Sequence, residues 1–272
     1  MANNIIQLSI GFVLAGLLGY VAYRLKSLSP SGAWATTLTG GLIFGLGGIS
    51  WAIVLVTFFI SSSILSRLSK QNKLSLEHSF EKGSYRDSGQ VFANGGAAIL
   101  LVIFQTIYPE QLWPWLAFLG AMATVTADTW ATEIGVLSKS ATRLITTGRK
   151  VDRGTSGGVS ALGTLATIAG GVLIGLVASL ADSEINFLWG LVLAALAGLS
   201  GSLLDSMLGA TVQAIFYCGN DEKETEQHPV HSCGEPTKHQ RGWLWLRNDH
   251  VNLISSIFGG LVAVGMWALT VR

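Results

Sequence analysis

The sequence predicts an all-α, polytopic integral membrane helix bundle of about eight transmembrane helices. Three observations carry that prediction. Half of the 272 residues are hydrophobic and only 12% are charged, against about 25% in a soluble domain. Mean hydropathy is +0.50. The 17 Lys+Arg and 16 Asp+Glu gather in a few clusters between long uncharged runs, too few to cover a water-exposed surface. Disorder, a coiled coil and an ordinary secreted domain are excluded. Two cysteines make no disulfide framework. A single membrane domain over 1–272, with cytoplasmic loops at 66–90, 137–156 and 217–248, fits the pattern.

A membrane-spanning helix needs about 20 mostly apolar residues. The first lies near 5–23, and no basic segment precedes it as in a signal peptide. No charge occurs from Leu28 to Ser66, which is too long for one crossing. The Gly45-Leu46-Gly47-Gly48 stretch breaks it into spans near 31–47 and 49–65. Further spans fall near 91–108, 114–136, 157–180, 186–209 and 250–271.

Eight crossings satisfy the positive-inside rule. Arg24 and Lys26, then Arg67, Lys70, Lys73, Lys82 and Arg86, then Lys139, Arg143, Arg149, Lys150 and Arg153, then Lys223, Lys238, Arg241 and Arg247 all fall on one side. That side is the cytoplasm, and both termini are then extracytoplasmic. Arg272 alone is left outside. The opposite loops carry Glu110, Asp182 and Glu184 without Lys or Arg. Trp113 and Trp115 are expected in the interfacial aromatic belt of that opposite face. No transit peptide is evident, which suits a bacterial or cyanobacterial cytoplasmic membrane, or a thylakoid one. The basic residues are accounted for by topology, so no nucleic-acid partner is implied.

A parallel internal repeat is also readable. Ser31 to Gly48 resembles Ser156 to Gly171 in small and hydroxyl residues, and Ser61 to Leu68 resembles Ser200 to Leu208. The Arg86 to Asn94 segment resembles Arg247 to Asn252. Small residues in membrane helices also produce such matches by packing demand alone.

Ionisable side chains inside a span cost about 2.5–3.5 kcal/mol on insertion scales, so each is a functional hypothesis. Asp128 and Glu133 share one span and Asp205 lies in another. At about 100° per residue, Asp128, Thr129, Thr132 and Glu133 form a polar wedge of roughly 140°. Asn94 and Asn252 begin two further spans at the same depth, and Asn248 and Asp249 just precede Asn252. Carboxylates facing basic loops suit a Mg²⁺–phosphate site, in which Asp128, Glu133 and Asp205 are the candidate catalytic and metal-binding groups. Simple pairing of these acids with loop arginines, or an ion or proton pathway, would use the same residues.

The segment Gly148-Arg149-Lys150-Val151-Asp152-Arg153-Gly154-Thr155-Ser156-Gly157-Gly158 is basic, glycine-rich and opens a span. Such a loop is a candidate phosphate cradle, although juxtamembrane basic residues also serve as plain topology signals. Candidate substrate- and nucleotide-binding residues are therefore Arg86, Asn94, Lys139, Arg143, Arg149, Lys150, Thr155, Ser156, Asn248, Asp249 and Asn252. The order of a Walker A loop is absent, as are a nucleophile elbow, a His-Glu-x-x-His helix and a Rossmann fingerprint. The 218–248 segment holds Cys218, His228, His231, Cys233 and His239. Zinc ligands commonly come as Cys-x₂-Cys. Here Asp221 stands at that spacing from Cys218, and His231-x-Cys233 is an unusual partner. The acidic run Asp221 to Glu226 reads as a solvated loop face.

Five motifs in order identify a resemblance. They are Gln90-Val91-Phe92-Ala93-Asn94-Gly95-Gly96, Ala127-Asp128-Thr129-Trp130-Ala131-Thr132-Glu133-Ile134-Gly135, Gly154-Thr155-Ser156-Gly157-Gly158-Val159-Ser160, the stretch from Gly201 through Asp205 to Gln213, and Asn248-Asp249-His250-Val251-Asn252. From the second span onward the chain resembles the transmembrane protein 19/phytyl-phosphate kinase family. Plant members of that family convert phytyl monophosphate to the diphosphate with a nucleoside triphosphate, in phytol salvage and tocopherol biosynthesis. Related polytopic prenol kinases favour CTP. The resemblance implies Mg²⁺-dependent phosphoryl transfer from a nucleoside triphosphate, CTP above others, to an isoprenyl monophosphate held among membrane lipids. The rival expectations are a cation- or proton-coupled transporter using the same acids, and a non-catalytic membrane scaffold. The acids cluster at one interface rather than at the bilayer midplane where transporter sites lie.

Overall fold

The computed structural model describes residues 2–73, 85–182 and 185–270. Lys82 in the expected 66–90 loop, Glu184 and Arg272 lie outside the described residues, as do the side chains of Lys70 and Lys73. The helices are α1 (Ala2–Arg24), α2 (Pro30–Lys73), α3 (Ser88–Ile107), α4 (Trp113–Gly135), α5 (Ala161–Ala181), α6 (Phe187–Thr211) and α7 (Asn248–Thr270). Two small sheets complete the described residues. One pairs β1 (Arg143–Leu144) with β2 (Gly158–Val159), and the other places β3 (Ile215–Cys218) between β4 (Lys223–Thr225) and β5 (Lys238–Arg241).

The 44 residues of α2 would run about 65 Å if straight, twice the thickness of a bilayer core. They do not run straight. Arg67 Nη2 donates to Leu25 O at 2.6 Å, bringing the far end of α2 back to its own beginning. The reversal is at Gly48, with φ 78° and ψ −161°, a conformation open to glycine and strained for other residues. The two arms give eight helical segments among the described residues, with the break inside the predicted glycine stretch. Ser50 Oγ donates to Ala181 O at 2.9 Å, so this turn meets the C-terminal end of α5.

Central in the bundle is α4, which packs against α2, α3, α5, α6 and α7. Every residue from Pro114 to Ala127 on it is buried. Small residues bring its neighbours close, as expected where lipid supplies no hydrophobic drive between helices. A Cβ on Gly120 would stand 2.3 Å from Gly259 O of α7, and one on Gly198 of α6 would stand 3.0 Å from Ala123 O. The outer helices present apolar side chains such as Leu100, Leu165, Leu188 and Leu261 to the surroundings. Among the described residues, six helices are long and apolar enough to cross a membrane; α4, which carries two acids, is not among them.

The place of Trp115 and the start of α5 differ from the sequence reading. Trp115 is 3% exposed, packed on Trp51 and Phe118 with ring centroids 5.1 and 5.4 Å away. It is a core residue rather than part of an aromatic belt, because the enclosed α4 begins at Trp113. Helix α5 starts at Ala161 rather than near 157. Gly158 and Val159 are taken by the pairing with Leu144 and Arg143, and the Ser160 hydroxyl caps the helix by accepting from Gly163 N at 3.1 Å.

Candidate functional site

At one end of the bundle a polar cavity of about 310 Å³ opens between α2, α3, α4, α5, α6 and α7. Two of the basic segments meet at that end: Arg86 lines the cavity and its backbone pairs with Ser27 and Ser29, and Arg67, next to the lining Ser66, reaches Leu25. From α4 come Asp128, Thr129, Thr132 and Glu133, the four members of the polar wedge. Asp205 enters from α6, Asn94 from α3, and Asn248 and Asn252, one turn apart, from α7. Thr155 and Ser156 line it from the loop before α5. Asn94 and Asn252, matched in the internal comparison of the sequence, thus share one cavity.

The three acids are held differently. Glu133 is buried, and both of its oxygens are engaged. Ser66 Oγ donates to Oε1 at 2.7 Å and Ser69 Oγ donates to Oε2. Its charge also acts on Arg86. Asp128 accepts from Ser202 Oγ at 3.3 Å, across the α4–α6 contact. The carboxylate of Asp205 lies close enough to that of Asp128 for their charges to interact. Its Oδ2 is sealed from solvent with no direct hydrogen bond among the described residues.

Arg86 owes its position to its neighbours. Asp87 caps α3 by accepting from Gln90 N at 2.9 Å, and the Gln90 side chain returns a bond from Asp87 N at 3.3 Å. This box fixes the chain just after Arg86, while Ser27 and Ser29 hold its backbone. Burial lowers the guanidinium's pKa from its ordinary value and the Glu133 charge opposes that. Arginine stays charged regardless. Its Nη1 is buried without a hydrogen-bond partner among the described residues.

A second cavity, of about 320 Å³, lies between α1, both arms of α2 and α3. Leu14, Leu18, Phe44, Ile53, Val56 and Phe59 are among the apolar side chains along it. Arg86 and Asn94 line both cavities, so the apolar space meets the polar one at a cation and an amide.

The glycine loop is pressed against α6. Gly157 has φ 80°, and a Cβ there would fall 2.6 Å from Ala210 N and Cα. Both the backbone conformation and the close approach require glycine. Arg153 beside this loop reaches the cavity and donates to Val136 O at 3.5 Å. Lys139, Arg143, Arg149 and Lys150, grouped with it in the sequence, are exposed and line neither cavity. The physical reason is a tight turn just after β1: Leu144 N donates to Arg149 O at 2.9 Å, Lys150 bridges back to Arg143, and Arg143 Nη1 donates to Gly148 O at 2.7 Å. Asp249 is likewise outside the lining.

Gln213 and Glu226 are among the lining residues that were not singled out from the sequence as site residues. Gln213, 2% exposed, donates through Nε2 to Glu226 Oε1 at 2.8 Å. Glu226, read as part of a solvated face, is instead a wall of the cavity. Its position depends on β4 pairing with β3, which composition does not reveal. Gln213 closes the fourth motif, and that placement was its only signal.

The sequence profile of the integral membrane protein DUF92 family matches residues 13–260. The chain belongs to that family, and the resemblance read from its motifs is borne out. Protein PGR of Arabidopsis thaliana is 34% identical over 271 residues, covering 92% of each chain. An uncharacterized membrane protein of Methanocaldococcus jannaschii is 29% identical, covering 96% of this chain and 95% of the relative. Protein VTE6, chloroplastic, of Arabidopsis thaliana is 27% identical, covering 98% of this chain and 70% of the relative. No solved structure matches the chain.

Proposed function

We propose that this protein is a membrane-embedded kinase. It transfers a phosphoryl group from a nucleoside triphosphate, CTP by preference, to an isoprenyl monophosphate such as phytyl phosphate, giving the diphosphate. The observation that carries this reading is the junction of a polar and an apolar cavity at Arg86 and Asn94. A prenyl monophosphate has that division: an apolar chain ending in an anion. The chain would occupy the space between α1, α2 and α3, and its phosphate would meet the buried Arg86 Nη1.

The donor set also suits Mg²⁺, a hard cation held by one or two carboxylates and substrate phosphates. Asp128 and Asp205 are the residues to hold it, since Asp205 Oδ2 is a buried acceptor without a donor among the described residues. Bound there, the ion would offset charge developing on the donor phosphates. Glu133, engaged by Ser66 and Ser69, orients Arg86 instead. Arg153, Thr155 and Ser156 face the remaining polar volume, where the nucleotide phosphates would lie. Phosphoryl transfer depends mainly on positioning and electrostatics. The acceptor phosphate is already anionic, so no side chain has to act as a strong base.

Under the positive-inside rule the cavity opens to the cytoplasm and both termini lie on the far side. The test is direct: detergent-purified protein with Mg²⁺, a prenyl monophosphate and each nucleoside triphosphate should yield the prenyl diphosphate. Absence of product from folded protein, together with cation-dependent flux in liposomes, would replace this reading with transport.

A further inference from the structure

Outside the cavity, two tight turns of the α6–α7 segment converge on four ligand-type side chains. Cys218 ends β3 and is fully buried, and Asp221 lies in the turn leading to β4. His231, 4% exposed, and Cys233 come from the excursion between β4 and β5. That excursion is closed by His231 N donating to Glu235 O and Gly234 N donating to His231 O, each at 2.9 Å. The Cys218 and Cys233 sulfurs are 3.5 Å apart without a disulfide. His231 Nδ1 stands 3.1 Å from Cys233 Sγ and 3.5 Å from Asp221 Oδ2. All four ligand atoms lie within 4.8 Å of one another.

We infer that Cys218, Asp221, His231 and Cys233 form a structural Zn²⁺ site. With Zn–S of about 2.3 Å and Zn–N of about 2.0–2.1 Å, a tetrahedron has S···S edges near ~3.8 Å and N···S edges near ~3.5 Å. The observed separations lie within a few tenths of an ångström of those edges. Two thiolates with an imidazole select zinc among abundant divalent ions, since Mg²⁺ and Ca²⁺ prefer all-oxygen shells. Four protein ligands leave no open position, which marks a structural rather than a catalytic site. Zinc binding displaces the protons of the two thiols, so affinity falls as pH drops. His228 and His239 are not ligands; they pack on Phe216 with ring centroids 4.2 and 5.8 Å away.

The site has something to hold. Thr225 ends β4, and Glu226, which follows it directly, accepts from Gln213 at the cavity wall. A metal joining the β3–β4 turn to the next excursion fixes the short sheet whose edge closes the polar cavity. This inference does not depend on the reaction proposed above.

The test is metal analysis of the full chain purified in detergent without added metal or chelator. About one zinc per chain is expected. Cys218→Ser with Cys233→Ser should reduce it at least tenfold, and Asp221→Cys should retain it. Asp128→Asn should leave zinc content unchanged, which separates this site from the polar cavity. If the double variant fails to fold, the wild-type zinc content and the protection of both thiols from maleimide until a chelator is added still decide the question. Metal-free folded protein that takes up no zinc under reducing conditions would overturn the inference. So would a Cys218–Cys233 disulfide in freshly purified protein, or stoichiometric iron or copper in place of zinc.

Discussion

Ser66 Oγ donates to Glu133 Oε1 at 2.7 Å, joining the second arm of α2 to α4. That bond sets Glu133 apart from the other two intramembrane acids. Both of its oxygens accept from serines, while Asp128 accepts from Ser202 across the α4–α6 contact and Asp205 Oδ2 is buried without a hydrogen bond among the described residues.

Asp128→Asn is therefore expected to lower turnover at least about a hundredfold, the scale of losing one preorganised electrostatic group. The thermal midpoint in detergent should stay near that of the wild type, because Asn keeps the shape and can still meet Ser202. Wild-type-like activity in this variant would contradict the metal role.

Glu133→Gln should act through Arg86. A positioning residue of this kind costs roughly 10–100-fold, and the loss should appear chiefly as a raised KM for the prenyl phosphate. The KM for the nucleotide should change little. Steady-state kinetics with each substrate varied in turn separates the two.

Replacement of Arg86 by Lys keeps the charge and removes the fork that grips a phosphate. An increase in prenyl-phosphate KM of about tenfold or more is expected. An unchanged KM would place the lipid phosphate elsewhere.

Under the proposed function the apolar cavity would set the chain length accepted. Ala52 lines it, and Ala52→Phe should reduce activity on phytyl or geranylgeranyl phosphate more than on a ten-carbon prenyl phosphate. Equal losses on both, in a competition assay followed by mass spectrometry, would remove this cavity from the account.

Gly157→Ala forces a side chain onto Ala210 at a φ of 80°. Residues held at such φ values cost of order 1–3 kcal/mol. A lower thermal midpoint is expected, together with reduced activity, since Thr155 and Ser156 sit on the same turn.

Much of this architecture is legible in one dimension because membrane insertion writes itself into composition. The Gly45 to Gly48 break marks the α2 reversal, since an uncharged run longer than a bilayer has to turn and glycine permits the turn. The wedge from Asp128 to Glu133 is legible because helical spacing alone puts those residues on one face. What was not legible depends on contacts between distant segments. Glu226 looks like a solvated acid until β4 pairs with β3. Arg153 resembles Arg149 and Lys150 until those two fold back on β1, exposed, while Arg153 reaches the cavity. Trp115 has the composition of a belt residue, and only the central place of α4 makes it core.

The most direct measurement is mass spectrometric detection of prenyl diphosphate from detergent-purified protein, Mg²⁺, phytyl monophosphate and CTP, run beside Asp128→Asn. A diphosphate that requires the metal and is lost in the variant is expected. Folded wild-type protein that makes no diphosphate from any prenyl monophosphate with any nucleoside triphosphate would contradict it.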